Sequence, residues 1–474
     1  MVNALLCRLG QYLPVLSSAW TCTILCFFLI ASSNASLAAE QGREPAAILI
    51  ENVNIFDGKR DAIKANQFVL IVGQQIQTIS DTKIPFQGNA VRIDATGFTL
   101  MPGLIESHGH LAHVASLEQL KYQLDWSDIG VRQAAIAKSW LLDGFTTIRD
   151  VGGPTLGLKR TIDAGIVPGP RIYSSGAIIT PTAGIEDYQS VNARTRNMTF
   201  ANDREHLESL GYYSRVDGVA QILTATRNNL GSGVSQIKIM AGASANDGKA
   251  PAARLPFRPE EIKAAVNVAT DSGTYASAHV YYPVQINQFI EAGGMSIEHA
   301  RAIDNPTMKK VVNKGVFVSV PLRALSKDNS DGDNSDQQNL LQLVQKHNPK
   351  MVFATDAKGS VDNQARQRRQ ELFERARLLG NFATLKSATS VAGELMQLSE
   401  HRNPYKLGKL GVIEQGAYAD LLVVAGNPLA DISLLGARKS WKNKESPEPI
   451  DTIKVIIKDG KIVKNIVRRR NQAN

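Results

Sequence analysis

The sequence predicts an α/β protein, a (β/α)8 TIM-like barrel with a small β-sandwich domain formed by the N- and C-terminal segments. In the middle of the chain, short β-branched runs alternate with amphipathic segments of helical length, which is typical of βαβ units and a parallel sheet. Eight such runs follow one another, the number that closes a barrel of this kind. At both ends, short apolar runs are broken by turns and indicate the strands of a separate sheet.

The predicted barrel domain spans residues 101–409, and residues 45–100 and 410–466 make up the composite β-sandwich domain. The barrel strands are predicted at Gly103–Ser107, Thr146–Asp150, Arg171–Ser175, Gln236–Met240, Thr274–His279, Met295–His299, Val316–Pro321 and Met351–Asp356. The strands of the β-sandwich domain are predicted at Ile48–Phe56, Phe68–Val72, Ile76–Ser80, Val91–Asp94, Ala419–Val424, Ile453–Ile457 and Lys461–Val463.

Residues 1–38 have the composition of a secretory signal peptide. Arg8 is the only charged side chain before the apolar run Trp20–Ala31, and Ser36 and Ala38 are spaced as a cleavage signal requires. The run is shorter than the about 20 residues that cross a bilayer. We therefore expect a secreted or periplasmic protein with no membrane contact after cleavage, and a retained membrane anchor is the alternative.

All three cysteines, Cys7, Cys22 and Cys26, lie in this segment. The mature chain would then have no disulfide and no thiolate metal site. The formal net charge of +9 favours acidic ligands, but the basic residues are dispersed, so no nucleic-acid partner is expected. The expected partner is a small-molecule substrate, and a homo-oligomer is possible.

Histidines and one aspartate are placed where metal ligands are expected. His108 and His110 follow the first predicted barrel strand, and residues i and i+2 of an extended strand point the same way. His279, His299 and Asp356 end the fifth, sixth and eighth predicted strands, whose carboxyl ends meet above the barrel. Four imidazoles and a carboxylate suit zinc. They exceed the requirement of one tetrahedral ion with an open position, which points to two divalent ions.

Motifs at both ends of the predicted barrel resemble those of a known family. Met101–His110, with the sequence MPGLIESHGH, resembles the opening motif of the amidohydrolase superfamily, and Leu410–Leu421, LGVIEQGAYADL, is similar to its closing motif. Gln236–Met240 and Ser296–His299 resemble the branch of imidazolonepropionase-like enzymes and metal-dependent, Xaa-Pro dipeptidase-like prolidases. The resemblance extends from Ile48 to Val463.

The resemblance implies a complete binuclear site. In this branch a carboxylated lysine bridges the two metal ions. The implied ligands are His108, His110 and Asp356 for the more buried ion, His279 and His299 for the more exposed ion, and carboxylated Lys238 between them. A lysine in an apolar strand is costly to bury as an ammonium. The alternative is a Lys238 side chain that extends to solvent at the rim of the barrel.

The expected reaction is hydrolysis of an amide or peptide C–N bond. Two cations lower the pKa of a bridging water, and Asp356 acts as general base and then as general acid. Tyr281 is implied to contact a substrate carboxylate or the polarised carbonyl, with packing as the alternative. The resemblance implies dipeptides or N-acyl amino acids as substrates. The same site could serve a lactonase, a phosphotriesterase or a cyclic-amide hydrolase, and a non-catalytic periplasmic binding protein is the alternative from another class.

Two local features modify this interpretation. Thr182–Asp187 reads TAGIED where the branch has Thr-Gly-Gly-His-Gly-Asp, so Ile185 replaces a histidine that helps to recognise substrate. Specificity therefore does not transfer from relatives. Arg149 and Asp150, at the end of the second predicted strand, are interpreted as a structural ion pair, with a substrate role for Arg149 as the alternative.

Overall fold

The computed structural model describes residues 47–190, 205–243, 254–325, 334–441 and 446–467. The predicted signal peptide, residues 1–38, lies outside these ranges and stays a prediction. Within them, no helix combines the length and the apolar character needed to cross a membrane.

The strands and helices alternate through the middle of the chain. The strands are β1 Ala47–Ile55, β2 Lys64–Val72, β3 Gln75–Ser80, β4 Ala90–Asp94, β5 Phe98–Pro102, β6 Leu104–Gly109, β7 Phe145–Asp150, β8 Arg171–Ser174, β9 Ile178–Thr180, β10 Tyr213–Arg215, β11 Ile237–Ile239, β12 Ala276–Val280, β13 Ser296–His299, β14 Phe317–Ser319, β15 Lys350–Val352, β16 Leu421–Ala425, β17 Ile453–Lys458 and β18 Lys461–Asn465. The helices are α1 Leu117–Tyr122, α2 Trp126–Leu142, α3 Leu156–Asp163, α4 His206–Ser209, α5 Gly218–Gly231, α6 Pro259–Asp271, α7 Pro283–Glu291, α8 Asn305–Asn313, α9 Asn334–His347, α10 Val361–Leu379, α11 Asn381–Ser387 and α12 Ser390–Gln397.

Strands from both ends of the chain share one eight-stranded sheet, in the order β18-β17-β16-β5-β1-β2-β3, with β4 paired to β1. The joint is the antiparallel pair β5·β16, in which Leu100 lies opposite Val423. Alternate residues of these strands are buried on opposite faces. Leu100 and Val423 belong to a core formed by this sheet, whereas Met101 and Leu422 pack into the core of the parallel strands. The predicted association of the two ends is thus present, and a separate β-sandwich domain stays a prediction.

Two parallel sheets correspond to the predicted barrel strands: β6-β7-β8, and β10-β9-β11-β12-β13-β14-β15. Backbone hydrogen bonds connect them at both junctions, from Ser235 N to Ser174 O at 2.8 Å and from Ser107 N to Phe353 O at 2.9 Å. The structure has a strand at each of the eight predicted positions. The short strands β9 and β10 were not predicted, because three residues are too few to show a periodicity. The fold is mixed α/β, as predicted.

Helix α10 follows the last parallel strand and is held by buried ion pairs. It begins after Ser360, whose Oγ accepts a hydrogen bond from Asn363 N at 3.4 Å. Arg368 Nε and Arg369 Nη2 each lie 2.7 Å from the Asp143 carboxylate, at the carboxyl end of α2. These contacts fix α10 against the neighbouring helix and thereby position the loop between β15 and α10.

Candidate metal centre

The predicted site residues lie at the carboxyl ends of the parallel strands or within them, and line one cavity of about 320 Å³. This edge is where the side chains of successive parallel strands converge. The cavity is lined by His108, His110, Lys238, His279, Tyr281, His299 and Asp356, together with Ile178, Ile185, Glu186, Tyr188, Met240 and Lys358. Every residue that the sequence placed in the site is therefore at this cavity.

His108, His110 and Asp356 form the tightest group of possible ligands. Their ligand atoms all lie within 4.8 Å of one another. Oδ1 of Asp356 is 3.2 Å from Nε2 of His110 and 3.7 Å from Nε2 of His108. Two ring nitrogens and a carboxylate oxygen this close together are a donor set that suits zinc. The group is therefore compatible with a metal site.

His279 and His299 form a second pair beside the first group. Their ring centroids are 4.5 Å apart, and the ring of His299 is 5.0 Å from that of His108. Nε2 of His279 is buried and has no hydrogen-bond partner among the described residues. A buried imidazole nitrogen without a hydrogen-bond partner can coordinate a metal ion. A second ion at this pair stays a prediction.

Lys238 lies in the middle of β11, and only 2% of it is exposed. Burial lowers the pKa of its amine to about 8. The side chain therefore faces the cavity instead of extending to solvent, and a larger fraction of its amine is neutral near pH 7 than in an exposed lysine. A neutral amine is the form that can be carboxylated, so the position fits the predicted bridging ligand.

The electrostatics of the cavity favour the metal-binding forms of its ligands. Burial lowers the pKa of His110 and of His279 to about 3, and lowers those of His108 and His299 as well. These imidazoles are consequently neutral near pH 7, as coordination requires. Burial acts to raise the pKa of Asp356, but Lys358 and His110 hold it well below its usual range, so this carboxylate is ionised.

Two of these ligands lie at unusual backbone positions. His299 has φ 74° and Asp356 has φ 51°, in the left-handed region that side chains other than glycine rarely adopt. Asp356 N donates to the His108 carbonyl at 2.9 Å, and Ala300 N donates to the Val280 carbonyl at 2.9 Å. Backbone strain that neighbouring bonds maintain is concentrated at functional sites. The strain turns both side chains into the cavity.

Two buried charged residues, Glu298 and Arg149, lie on the Nδ1 side of His108. Glu298 Oε2 is 2.8 Å from His108 Nδ1, and Glu298 Oε1 is 2.7 Å from Arg149 Nη2. The predicted ion pair between Arg149 and Asp150 is wrong, because the two residues are adjacent on β7 and point to opposite faces. Asp150 instead accepts a hydrogen bond from Leu111 N at 2.7 Å. The sequence pattern gave no role to Glu298, although it lies beside His299.

Tyr281 packs against the second pair of histidines. Its ring is parallel to that of His299, with centroids 5.1 Å apart and an angle of 2°, and it lies 4.8 Å from the ring of His279. Burial raises the pKa of the phenol to about 12, so it is protonated near pH 7 and can donate a hydrogen bond. Both packing and substrate contact are compatible with this position.

Glu186 and Lys358 also line the cavity, and sequence reasoning missed both. Glu186 follows Ile185 in the segment that departs from the family pattern, where the family has glycine. Lys358 comes two residues after Asp356, on the same loop. Their positions next to predicted site residues were the only signal in the sequence.

Comparison with known proteins identifies relatives of the chain. The model of the amidohydrolase family matches residues 99–467. An ochratoxinase of Aspergillus niger is 30% identical over 230 residues, which are 46% of this chain and 46% of that protein, so the chain matches less than half of the length of this curated relative.

Solved structures agree with this match. A prolidase crystallised with N-methylphosphonate-L-proline is 28% identical with a TM-score of 0.74, covering 89% of this chain and 100% of the other. A Xaa-Pro dipeptidase, 24% identical with a TM-score of 0.72 and covering 89% and 100% of the two chains, shares the fold. The predicted superfamily and its prolidase-like relatives are confirmed. The chain belongs to the amidohydrolase family.

Proposed function

We propose that this protein is an exported, binuclear metal-dependent hydrolase that cleaves an amide or peptide C–N bond of dipeptides or N-acyl amino acids. The observation that carries the proposal is the convergence on a single cavity of six side chains from four strands, β6, β11, β12 and β13, and from the loops after β6 and β15. They are His108, His110, Lys238, His279, His299 and Asp356. A family match and a prolidase of 28% identity support hydrolysis as the reaction class.

The proposal includes the domain organisation of the chain. We infer that β6–β8 and β11–β15 form a closed (β/α)8 barrel, which the backbone bonds at both junctions of the parallel sheets support. The terminal strands would be its β-sandwich domain, residues 45–100 and 410–466, and residues 1–38 its signal peptide, which would place the mature protein in a periplasm or outside the cell. After cleavage no membrane partner is expected.

Each residue of the site has a separate role in the proposed reaction. His108, His110 and Asp356 would hold one ion, His279 and His299 the other, and carboxylated Lys238 would contact both. When bound, two such ions acidify a water and polarise the scissile carbonyl. The ionised Asp356 carboxylate accepts the proton of the attacking water and returns it to the leaving amine. Tyr281, protonated near pH 7, donates a hydrogen bond to the substrate.

The dimensions of the cavity favour a small substrate. Its volume of about 320 Å³ is near the lower end of the range of about 300–1,000 Å³ for small-molecule sites. The prolidase neighbour was crystallised with a proline derivative, and the curated relative is an ochratoxinase. The proline derivative bound to the prolidase supports amino-acid derivatives as the substrate class.

The test combines metal analysis with a substrate screen. Protein expressed with added zinc is expected to contain two equivalents per chain and to hydrolyse members of a library of dipeptides and N-acyl amino acids. Hydrolysis of lactones, phosphotriesters or cyclic amides alone would overturn the substrate class but keep the metal hydrolase. Absence of bound metal together with absence of turnover would favour the periplasmic binding protein.

A further inference from the structure

Lys358 and Glu186 form a charged pair on the wall of the cavity beside the ligand group. Nζ of Lys358 is 3.4 Å from Oδ1 of Asp356 and 3.9 Å from Oε1 of Glu186. Oε2 of Glu186 accepts a hydrogen bond from the hydroxyl of Tyr188. The ammonium group of Lys358 therefore lies between two carboxylates, at the edge of the proposed reaction centre.

The backbone at Lys358 is held from both sides. Its N–H donates to Gln367 Oε1 at 3.3 Å, and its carbonyl accepts from Gln367 Nε2 at 2.8 Å. The next residue, Gly359, has φ 97° and donates to the His113 carbonyl at 2.7 Å. Gln367 belongs to α10, which buried ion pairs fix in place. The backbone position of Lys358 is thus set by the fold before any substrate binds, so that only its side chain loses conformational entropy on binding.

Lys358 is the cation that remains available to a ligand. Among the described residues that line the cavity, Lys238 and Lys358 are the only lysines or arginines. Lys238 is 2% exposed, and the proposed function uses it as a carboxylated ligand. The side chain of Lys358 is 40% exposed. Nζ of Lys358 lies 3.4 and 3.9 Å from the two carboxylate oxygens, farther than the about 2.7–2.9 Å of a good charge-assisted hydrogen bond. Its N–H groups can therefore donate shorter hydrogen bonds to a bound ligand.

We propose that Lys358 determines specificity by binding a free carboxylate of the substrate, and that Glu186 is a positioning residue that holds the lysine side chain at the cavity wall. The inference rests on the proposed function. Dipeptides and N-acyl amino acids carry such a carboxylate on the amine side of the scissile bond. Simple lactones and phosphotriesters have no free carboxylate, so the enzyme would discriminate against them at this residue.

The role of Ile185 and Glu186 follows from the same geometry. By its resemblance to the family motif, the segment carries Ile185 in place of a histidine and the carboxylate Glu186 in place of a glycine. Glu186 is partly buried, with 12% of its side chain exposed, and its φ of 66° turns it into the cavity. Glu186 is thereby placed to orient Lys358 through their ion pair.

The experiment compares Lys358→Met, which keeps the aliphatic stem, with Lys358→Arg, which keeps the charge. Each zinc-loaded variant is tested on the dipeptide library and on the same dipeptides as C-terminal carboxamides. Lys358→Met is expected to raise KM for the free acids by about 10- to 100-fold, the effect of a lost charged hydrogen bond. It should change KM for the carboxamides less than twofold, and Lys358→Arg should retain most of the preference for acids. Lys309→Met, at an exposed position on α8, is the matched control.

The outcomes separate the inference from the proposed function. Equal cleavage of acids and carboxamides by the wild-type protein would show that Lys358 does not bind the substrate carboxylate. Equal impairment of both sets in Lys358→Met would show the same. The hydrolase assignment would stand in either case. If the wild-type protein cleaves neither set, the proposed function fails, and the inference fails with it.

Discussion

Glu298 holds His108 from the side opposite the cavity, with its Oε2 2.8 Å from Nδ1 of the imidazole. Burial acts to raise the pKa of Glu298, but Arg149 and His108 hold it well below its usual range. The ionised carboxylate favours the tautomer of His108 that carries its proton on Nδ1. The lone pair of Nε2, on the side of Asp356, is then available to a metal ion. Such carboxylate–histidine contacts orient metal ligands and increase their basicity.

Glu298→Gln should lower the zinc affinity of the protein by about 10- to 100-fold, as other substitutions behind metal-binding histidines do. The amide keeps the shape of the side chain but removes the charge that Arg149 and His108 share. Zinc affinity measured by competition with a chelator checks this, with Glu260→Gln, an exposed residue of α6, as the control. Unchanged affinity would show that Glu298 only packs.

Lys238→Met should reduce the zinc content below two equivalents per chain and abolish turnover, because thioether and methylene groups cannot replace a bridging carbamate. Elemental analysis of purified protein measures the metal. Reconstitution of metal-free wild-type protein should also be faster with added bicarbonate, and more so above pH 8, because the amine with a pKa of about 8 is then mostly neutral. Two tightly bound zinc ions in Lys238→Met would contradict the bridging role.

Asp356→Asn should lower kcat by at least about 100-fold, because loss of a general base or acid costs about 10²–10⁴ in rate. KM should change much less, since the substrate's own contacts remain. Steady-state kinetics on the best substrate of the library measure both constants. Asp271→Asn, at an exposed position at the end of α6, should behave as the wild-type protein does. A normal kcat in Asp356→Asn would remove this residue from the mechanism.

Tyr281→Phe should lower kcat by about 100-fold, the effect of losing one donor to a developing oxyanion, and should leave the zinc content unchanged. The ring that stacks on His299 is retained, so the substitution removes only the hydroxyl. Tyr122→Phe is the control, because Tyr122 is 74% exposed. Wild-type kinetics in Tyr281→Phe would assign the residue to packing.

Asp143→Asn should destabilise the fold by about 3 kcal/mol near pH 7, since it leaves Arg368 and Arg369 buried without a carboxylate. Burial acts to raise the pKa of Asp143, but the two guanidinium groups hold it below its usual value. The stabilisation is therefore complete above the unfolded-state pKa of Asp143, and decreases as the pH falls through the lower folded-state pKa. Urea unfolding at pH 7 and at pH 3 measures the free energy of unfolding of wild type and variant. The difference between the two should be smaller at pH 3.

The sequence by itself determined the strand positions and the ligand types. All eight predicted parallel strands are present because apolar β-branched runs that are buried on both faces leave a continuous pattern. His108, His110, His279, His299 and Asp356 were found because parallel strands bring their carboxyl ends to one edge, so a polar residue at a strand end has a predictable location. Lys238 was identified by the resemblance of its strand to the family.

The tertiary structure alone decided which residues support or border these ligands. Arg149 on β7 and Glu298 on β13 meet although their strands are not neighbours in either sheet, and no sequence pattern encodes a contact of that kind. Lys358 and Glu186 come from different loops, 172 positions apart in the chain, and their approach depends on left-handed backbone angles and on the packing of α10. A local pattern fixes the direction of a side chain relative to its own strand, whereas charged pairs between distant loops form only when the whole chain has folded.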